Sequence, residues 1–358
     1  MSDWTAKFDL HRCYPARRKA LAMRAIVFHQ AGPPSVLKLR NDAIEPRLGY
    51  GQVKVKVFAT SVNPIDHKVR SGTYLPYTLK TPHIPGADVA GVVTECASAR
   101  SRFTPGDRVY GMPETFYPSV THGTYAEYIC VDEEVLCRMP DSMSFQDAAA
   151  LPLVTLTAWQ ALLAARVTAG QRILIHAGSG GVGSMAIQIA KAWGAYVVTT
   201  CSAGKYTFVK SLGADECVDY HKDKFEEVYA HDPFDVIVDL IGGPYEARSL
   251  KVLKKDGCFQ HIMNQGWLPK VGKYADTPVE AFFILKGMLW QLIGWGPRYE
   301  VTIVKPNSSQ LEIIGRLLTE GKLKAVIDKA APLDQAQQAH EYVEKGHAKG
   351  KVVLTVAR

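Results

Sequence analysis

No apolar run in this 358-residue chain reaches the roughly 18 residues that span a bilayer, so a soluble protein is expected. One apolar stretch stands out, residues 281–295 (AFFILKGMLWQLIGW), but it is short and carries Lys286. It fits the wall of a substrate pocket or a subunit contact, as in a homodimer, and leaves room for peripheral membrane contact. CxxC pairs are missing as well. The seven cysteines are scattered and odd in number, the usage of reduced intracellular thiols rather than of a disulfide framework. Long Lys/Arg runs interleaved with aromatics are absent, so the formal charge of +7 suits an anionic cofactor and not nucleic acid. Neither an internal repeat nor a low-complexity linker divides the chain. Residues 1–23 hold Arg12, Arg17, Arg18 and Lys19, but Asp3, Asp9 and the scarcity of serine argue against an organelle leader. A cytoplasmic tail is expected there, with a mitochondrial or plastid leader as the alternative.

What the chain does contain is length for two separate cores and one strong local signal. Residues 172–195 (RILIHAGSGGVGSMAIQIAKAWGA) run from an apolar strand through Gly178-x-Gly180-x-x-Gly183 into a helix with Ile187, Ile189, Ala190 and Trp193 at helical spacing. A strand that turns sharply into a helix while a pyrophosphate rests on the first helical N–H groups cannot carry side chains at those three positions. Gly178, Ser179, Gly180, Gly181, Val182 and Gly183 are therefore the expected dinucleotide-binding residues.

The next strand, residues 196–201 (YVVTTC), ends without the Asp or Glu that accepts from the 2′-hydroxyl of NAD. Ser202, Gly204 and Lys205 follow instead, and hydroxyls with a cation suit a 2′-phosphate, which points to NADPH. A solvated surface lysine is the plainer account of Lys205. Tyr220, after a short strand, either lines the adenine end or simply packs.

Ahead of this unit the pattern is short and strand-like. Residues 51–64 (GQVKVKVFATSVNP) alternate strictly at Val53, Val55 and Val57, and strands are also expected in VAGVVTEC, DRVYGM and residues 123–131. Behind it, helices are expected at residues 311–320 and 333–345 and a closing strand at 351–356.

The ordered series MRAIVFHQAGPPSVLKL, SVNPIDHKVRSGTY, HIPGADVAGVV, FTPGDRVYG, GTYAEY, DAAALPLVTLTAWQAL, AGSGGVG and GKVVLTV resembles the zinc-independent quinone oxidoreductase (zeta-crystallin-like) branch of the medium-chain dehydrogenase/reductase superfamily. The resemblance implies an α/β protein, a GroES-like β domain plus a doubly wound Rossmann domain. It places an N-terminal tail at 1–23, the GroES-like catalytic domain at 24–150 and 305–358, and the NADPH-binding domain at 151–304. Zinc-binding relatives have a cysteine where this chain has Asn63, and Gly-His-Glu where it has Gly86-Ala87-Asp88, so no metal is expected. His83, His122 and His176 remain as histidines that no spacing groups into a ligand set.

Polarising a carbonyl then falls to hydrogen-bond donors. Asn63 is the first candidate, acting on a developing oxyanion or on the nicotinamide carboxamide, or else merely closing a turn before Pro64. Tyr74 matches a tyrosine near the active-site mouth of this branch; it either donates a proton or lines the cleft, while Asp66 anchors the loop. The implied activity is NADPH-dependent reduction of small hydrophobic quinones or of the C=C bond of α,β-unsaturated carbonyl compounds. The alternatives are an enoyl-thioester reductase and a non-catalytic NADPH-binding structural or membrane-associated protein.

Overall fold

The computed structural model describes residues 21–73, 80–113, 122–262 and 296–357. Tyr74, the apolar stretch around residues 282–295 and nearly all of the tail lie outside them.

The alternation at Val53, Val55 and Val57 becomes an 11-residue strand, Gln52–Val62, whose three valines are fully buried while Lys54 and Lys56 face outward. One edge of this strand pairs antiparallel with Val89–Cys96; the other is shared by Tyr128–Asp132 along its first half and Lys351–Thr355 along its second. The closing strand thus lies beside one laid down nearly three hundred residues earlier. Two differences from expectation appear here. Residues 123–127 form no strand, because Gly123 N–H and Tyr125 N–H bond across to Ile84 O and Pro85 O, and Tyr125 O in turn accepts from Ile26 N–H. An unexpected strand, Ile327–Pro332, runs parallel to Lys351–Thr355 at the sheet edge. Half exposed and with lysine and alanine in place of alternating apolar residues, it offers no period to read.

The second sheet holds six parallel strands: Glu216–Asp219, Tyr196–Cys201, Arg172–Ile175, Phe234–Asp239, Leu253–Ile262 and Arg298–Thr302, in that spatial order. Numbered along the chain this is 3-2-1-4-5-6, the doubly wound dinucleotide-binding order. Helices cover its strands, which explains the uninterrupted apolar runs at Ile173–Ile175 and Val236–Val238. The helix Pro152–Ala164 packs on Gly181–Ala192, where Trp159 meets Trp193 edge-on at 5.0 Å between ring centroids. The two late helices form at Ser308–Thr319, capped by the Asn307 side chain accepting from Gln310 N–H, and at Ala336–Glu344.

Candidate dinucleotide-binding and catalytic site

The strand Arg172–Ile175 ends at the switch point of the second sheet, and the glycine turn follows there. The turn is tight: Ala177 takes the left-handed conformation (φ 52°), and its N–H donates to Thr200 Oγ1. The three glycines do different work. A Cβ at Gly178 would stand 1.9 Å from Thr199 Oγ1, and one at Gly183 would stand 2.3 Å from Ala177 O and 2.8 Å from the Gly178 Cα. Both positions are closed by the fold itself. At Gly180 the nearest atom to such a Cβ is Ala177 O, at 3.4 Å, so the space in front of the helix N-terminus is open. That leaves the first N–H groups of Gly181–Ala192 facing a cradle a pyrophosphate fits.

The other sheet's chain closes one wall of this cradle. Gly350 N–H donates to Ser179 O at 3.0 Å. Lys205 Nζ reaches Ala348 O at 3.4 Å. Burial draws the Lys205 ammonium below its ordinary range, with Asp328 opposing. Ser202 opens the short turn that carries Lys205, its carbonyl accepting from Lys205 N–H at 2.9 Å. Tyr220 is half exposed and rests against the His221 ring, 4.3 Å between centroids.

Behind the turn lies a cluster that the sequence does not disclose. Asp88 is wholly buried and accepts from Asn63 Nδ2 at 2.7 Å, from Leu153 N–H at 2.8 Å and from Ser61 Oγ. Lys351 Nζ lies 3.4 Å from the same carboxylate and donates to Val62 O at 3.1 Å and to Asn63 Oδ1. The cluster adjoins the glycine turn directly: a Cβ at Gly181 would meet Val154 Cγ1 at 3.0 Å and Lys351 Cδ at 3.2 Å. Asn63 is therefore buried, with its carbonyl engaged and, among the described residues, one of its two amide hydrogens uncommitted. Its backbone N–H is held by Asp66 Oδ2 at 2.8 Å, so Asp66 anchors the loop. From Asp66 a polar chain continues through Tyr125 OH at 3.4 Å, His340 Nε2 at 3.2 Å from that hydroxyl, and Arg70, which pairs with Glu344 at 2.7 Å. The one signal in the sequence for Lys351 was its place in Gly350-Lys351-Val352, at the start of the closing strand.

Of the three histidines, His176 contacts Thr200 Oγ1 and Ser249 Oγ at the end of its strand. His83 lies against Phe28, and His122 pairs with Ile84. His176 belongs to the other sheet, and among the described residues no three His, Cys, Asp or Glu side chains gather as a metal site.

Buried titratable groups give the fold an unusual pH response. Burial pulls the His176 and His340 imidazoles down to about 4 and about 3. Between about pH 6.5 and 4 the unfolded chain binds two protons that the folded chain refuses, so both histidines lower stability as the pH falls. Asp66 acts in the opposite sense. Burial raises its carboxyl to about 7, so across the same window the folded chain holds a proton that the unfolded chain releases, and stability is lost as the pH rises. Asp66→Asn removes that opposing contribution, since the amide oxygen still accepts from Asn63 N–H. Urea unfolding from pH 6.5 to 4 is expected to show a fall in stability steeper by up to about 1.4 kcal/mol per pH unit in the variant. Parallel profiles for the two proteins would mean that Asp66 is ionised throughout.

A GroES-like sheet joined to a doubly wound sheet, with a glycine cradle at the switch point and a polar cluster behind it, defines a two-domain nicotinamide-dependent oxidoreductase. Comparison with known proteins agrees. The family model described as "Alcohol dehydrogenase GroES-like domain" matches residues 49–141 and that described as "Zinc-binding dehydrogenase" matches residues 212–354. The mitochondrial NAD(P)H oxidoreductase RTN4IP1 of Bos taurus is 33% identical, over 94% of this chain and 90% of its own. The chloroplastic NADPH-dependent alkenal/one oxidoreductase of Arabidopsis thaliana is 35% identical, over 93% and 79%. Among solved structures, the quinone oxidoreductase from Coxiella burnetii superposes with a TM-score of 0.79 at 35% identity, covering 94% of this chain and all of the other. The chain belongs to the quinone oxidoreductase branch of the medium-chain dehydrogenase/reductase superfamily. Among its described residues, no helix is long and apolar enough to cross a membrane.

Proposed function

We propose that the protein is an NADPH-dependent, zinc-independent reductase of electron-poor conjugated carbonyl compounds, namely quinones or the C=C bond of enones. The observation that carries this reading is the Asn63–Asp88–Lys351 cluster. At the positions where zinc-binding relatives have ligands, Asn63 and Ala87 stand, and the neighbouring carboxylate of Asp88 already receives Asn63, Ser61, Leu153 and a buried ammonium. Lys351 is the buried cation of this cluster.

When bound, the dihydronicotinamide supplies the hydride. The chain's own work is to hold and orient. The glycine cradle and the start of the helix Gly181–Ala192 take the pyrophosphate. Asn63, which spends one amide hydrogen on Asp88, offers the other to the carboxamide or the developing oxyanion, and Tyr74 is the proposed proton donor. Ser202 and Lys205 receive the 2′-phosphate, with Tyr220 at the adenine end; the names of the two relatives, NAD(P)H and NADPH oxidoreductases, support that cofactor. Their organelle names support a leader at residues 1–23 over a cytoplasmic tail.

Lys205→Ala is expected to weaken NADPH binding by roughly 10- to 150-fold, the range of one charge-assisted bond, and to leave NADH binding unchanged. Fluorescence titration with both nucleotides checks this, and equal affinities in the wild type would sink it. The activity itself is tested by mixing protein and NADPH with a panel of quinones, enones and enoyl thioesters, with and without a chelator, while following the nicotinamide absorbance. A fall with quinones or enones that the chelator does not alter is expected. Turnover of thioesters alone supports the enoyl-thioester alternative, and binding without turnover supports the structural one.

A further inference from the structure

Two thiols stand next to the adenosine end of the cradle. Cys201 closes the strand Tyr196–Cys201, and Cys217 lies on the neighbouring parallel strand Glu216–Asp219, where it faces Thr199 while Cys201 faces Asp219. Their Sγ atoms are 2.8 Å apart. A disulfide bond is about 2.05 Å, so closure needs less than about 1 Å of approach. Cys96, Cys130 and Cys137 direct their thiols to backbone carbonyls, and among the described residues no hydrogen bond joins any of them to another sulfur. Cys217 is partly exposed on the edge strand of the sheet, while Cys201 is buried behind it.

We propose that Cys201 and Cys217 are a redox-responsive pair that closes to an intrachain disulfide under a hydroperoxide and thereby loosens the grip on the dinucleotide; the second part rests on the NADPH reading above. The link to the cofactor is geometric. Cys201 Sγ lies 3.3 Å from Ser202 O, and that same carbonyl accepts Lys205 N–H at 2.9 Å. Drawing the Cys201 sulfur toward the outer strand therefore re-aims the Ser202–Lys205 turn, which would hold the 2′-phosphate. Burial of Cys201 does not block the first step, because the partly exposed Cys217 meets the oxidant.

The chemistry balances. The Cys217 thiolate attacks one peroxide oxygen, the O–O bond breaks, hydroxide leaves and takes up the thiol proton as water, and the sulfur becomes a sulfenic acid, oxidised by two electrons. The Cys201 thiolate then attacks that sulfur, the S–S bond forms, and the sulfenic oxygen leaves as hydroxide and is protonated to water. Two thiols and one peroxide give one disulfide and two waters. The contact between the two sulfurs holds the Cys201 thiol below its ordinary range and pushes that of Cys217 above it, so the attack of Cys217 on the peroxide is the slow step and Cys201 is the ready resolving nucleophile.

The test uses the full chain, reduced and then exposed to hydrogen peroxide. Peptide mapping by mass spectrometry should find Cys201 and Cys217 joined, with the mass of two hydrogens lost. NADPH affinity should fall about tenfold, a fraction of the charge-assisted contact at Lys205, and a dithiol reductant should restore it. Saturating NADPH should shift the pair toward the dithiol in a thiol–disulfide buffer by the same factor, since the coupling is reciprocal. Cys217→Ser and Cys217→Ala should lose no mass and keep their affinity after peroxide. Oxygen added to either cysteine without a cross-link overturns the pairing whatever the nucleotide does. A cross-link that leaves the affinity unchanged overturns the coupling. Reduced protein that ignores NADPH overturns the cofactor reading, and the affinity part of the proposal falls with it.

Discussion

Gly180→Val is expected to abolish dinucleotide binding in a protein that still folds, whereas Gly183→Val is expected to lose binding and stability together. The difference follows from what each new side chain meets. At Gly180 the Cβ has one neighbour, a carbonyl oxygen at 3.4 Å, and the methyl groups project into the open cradle. Nothing in the fold has to move. The pyrophosphate, however, can no longer approach the helix N-terminus, and an affinity loss of at least about a hundredfold is expected, some 2.8 kcal/mol. At Gly183 the Cβ is placed 2.3 Å from Ala177 O and 2.8 Å from the Gly178 Cα, both of them backbone. Relief requires the helix to move off the turn, at a cost of about 1–3 kcal/mol or more, or a fall in Tm of roughly 2–4 °C for each kcal/mol. Thermal unfolding alongside nucleotide titration separates the two variants. Retained NADPH affinity in Gly180→Val would place the phosphate site elsewhere.

Lys351→Met is expected to be among the most damaging single substitutions in the β domain. It removes the ammonium from a carboxylate that no solvent reaches, leaving Asp88 with its hydrogen bonds from Ser61, Asn63 and Leu153 but without a counter-charge. Breaking one side of a buried pair costs about 3–5 kcal/mol. The double variant Lys351→Met/Asp88→Asn should recover much of that loss, because the stranded charge is gone. Denaturant unfolding of the four proteins in the cycle measures the coupling, and additive single effects would show that the ammonium and the carboxylate are not energetically paired.

How far the site can be read from the sequence depends on chain separation. Gly178, Gly180 and Gly183 are legible because the turn they build is made of adjacent residues and each glycine answers a local steric demand. The absence of an acidic residue after Cys201 is legible for the same reason. Asn63, Asp88 and Lys351 are not legible as a cluster: Asn63 and Asp88 are 25 residues apart, and Lys351 is 288 and 263 from each. Sheet pairing alone brings them together, and no periodicity encodes which strand lies beside Gln52–Val62. Asn63 stands out by its amide, but its carbonyl partner Lys351 looks in sequence like one more residue of a closing strand. The strand Ile327–Pro332 is not legible because it is an edge strand without alternation, and residues 123–127 look like strand in sequence because bonding to a loop leaves the same apolar-aromatic composition.

The contacts of residues 348–351 with Lys205, Ser179 and Asp88 bear on how the protein is made. A ribosome delivers the glycine turn and the whole parallel sheet while the segment that walls the cradle is still unsynthesised. A nascent chain that has emerged only as far as the helix Ala336–Glu344 has a phosphate turn with one side missing and a buried carboxylate at Asp88 with no ammonium to meet it. Capture of a dinucleotide in the proposed cradle is thereby expected to wait until the strand Lys351–Thr355 has been released and has found its place beside Gln52–Val62. With the dinucleotide in the proposed cradle, loading is expected only once both sheets are made, and a polypeptide stalled before that point is expected to stay an empty apoprotein, open to proteolysis.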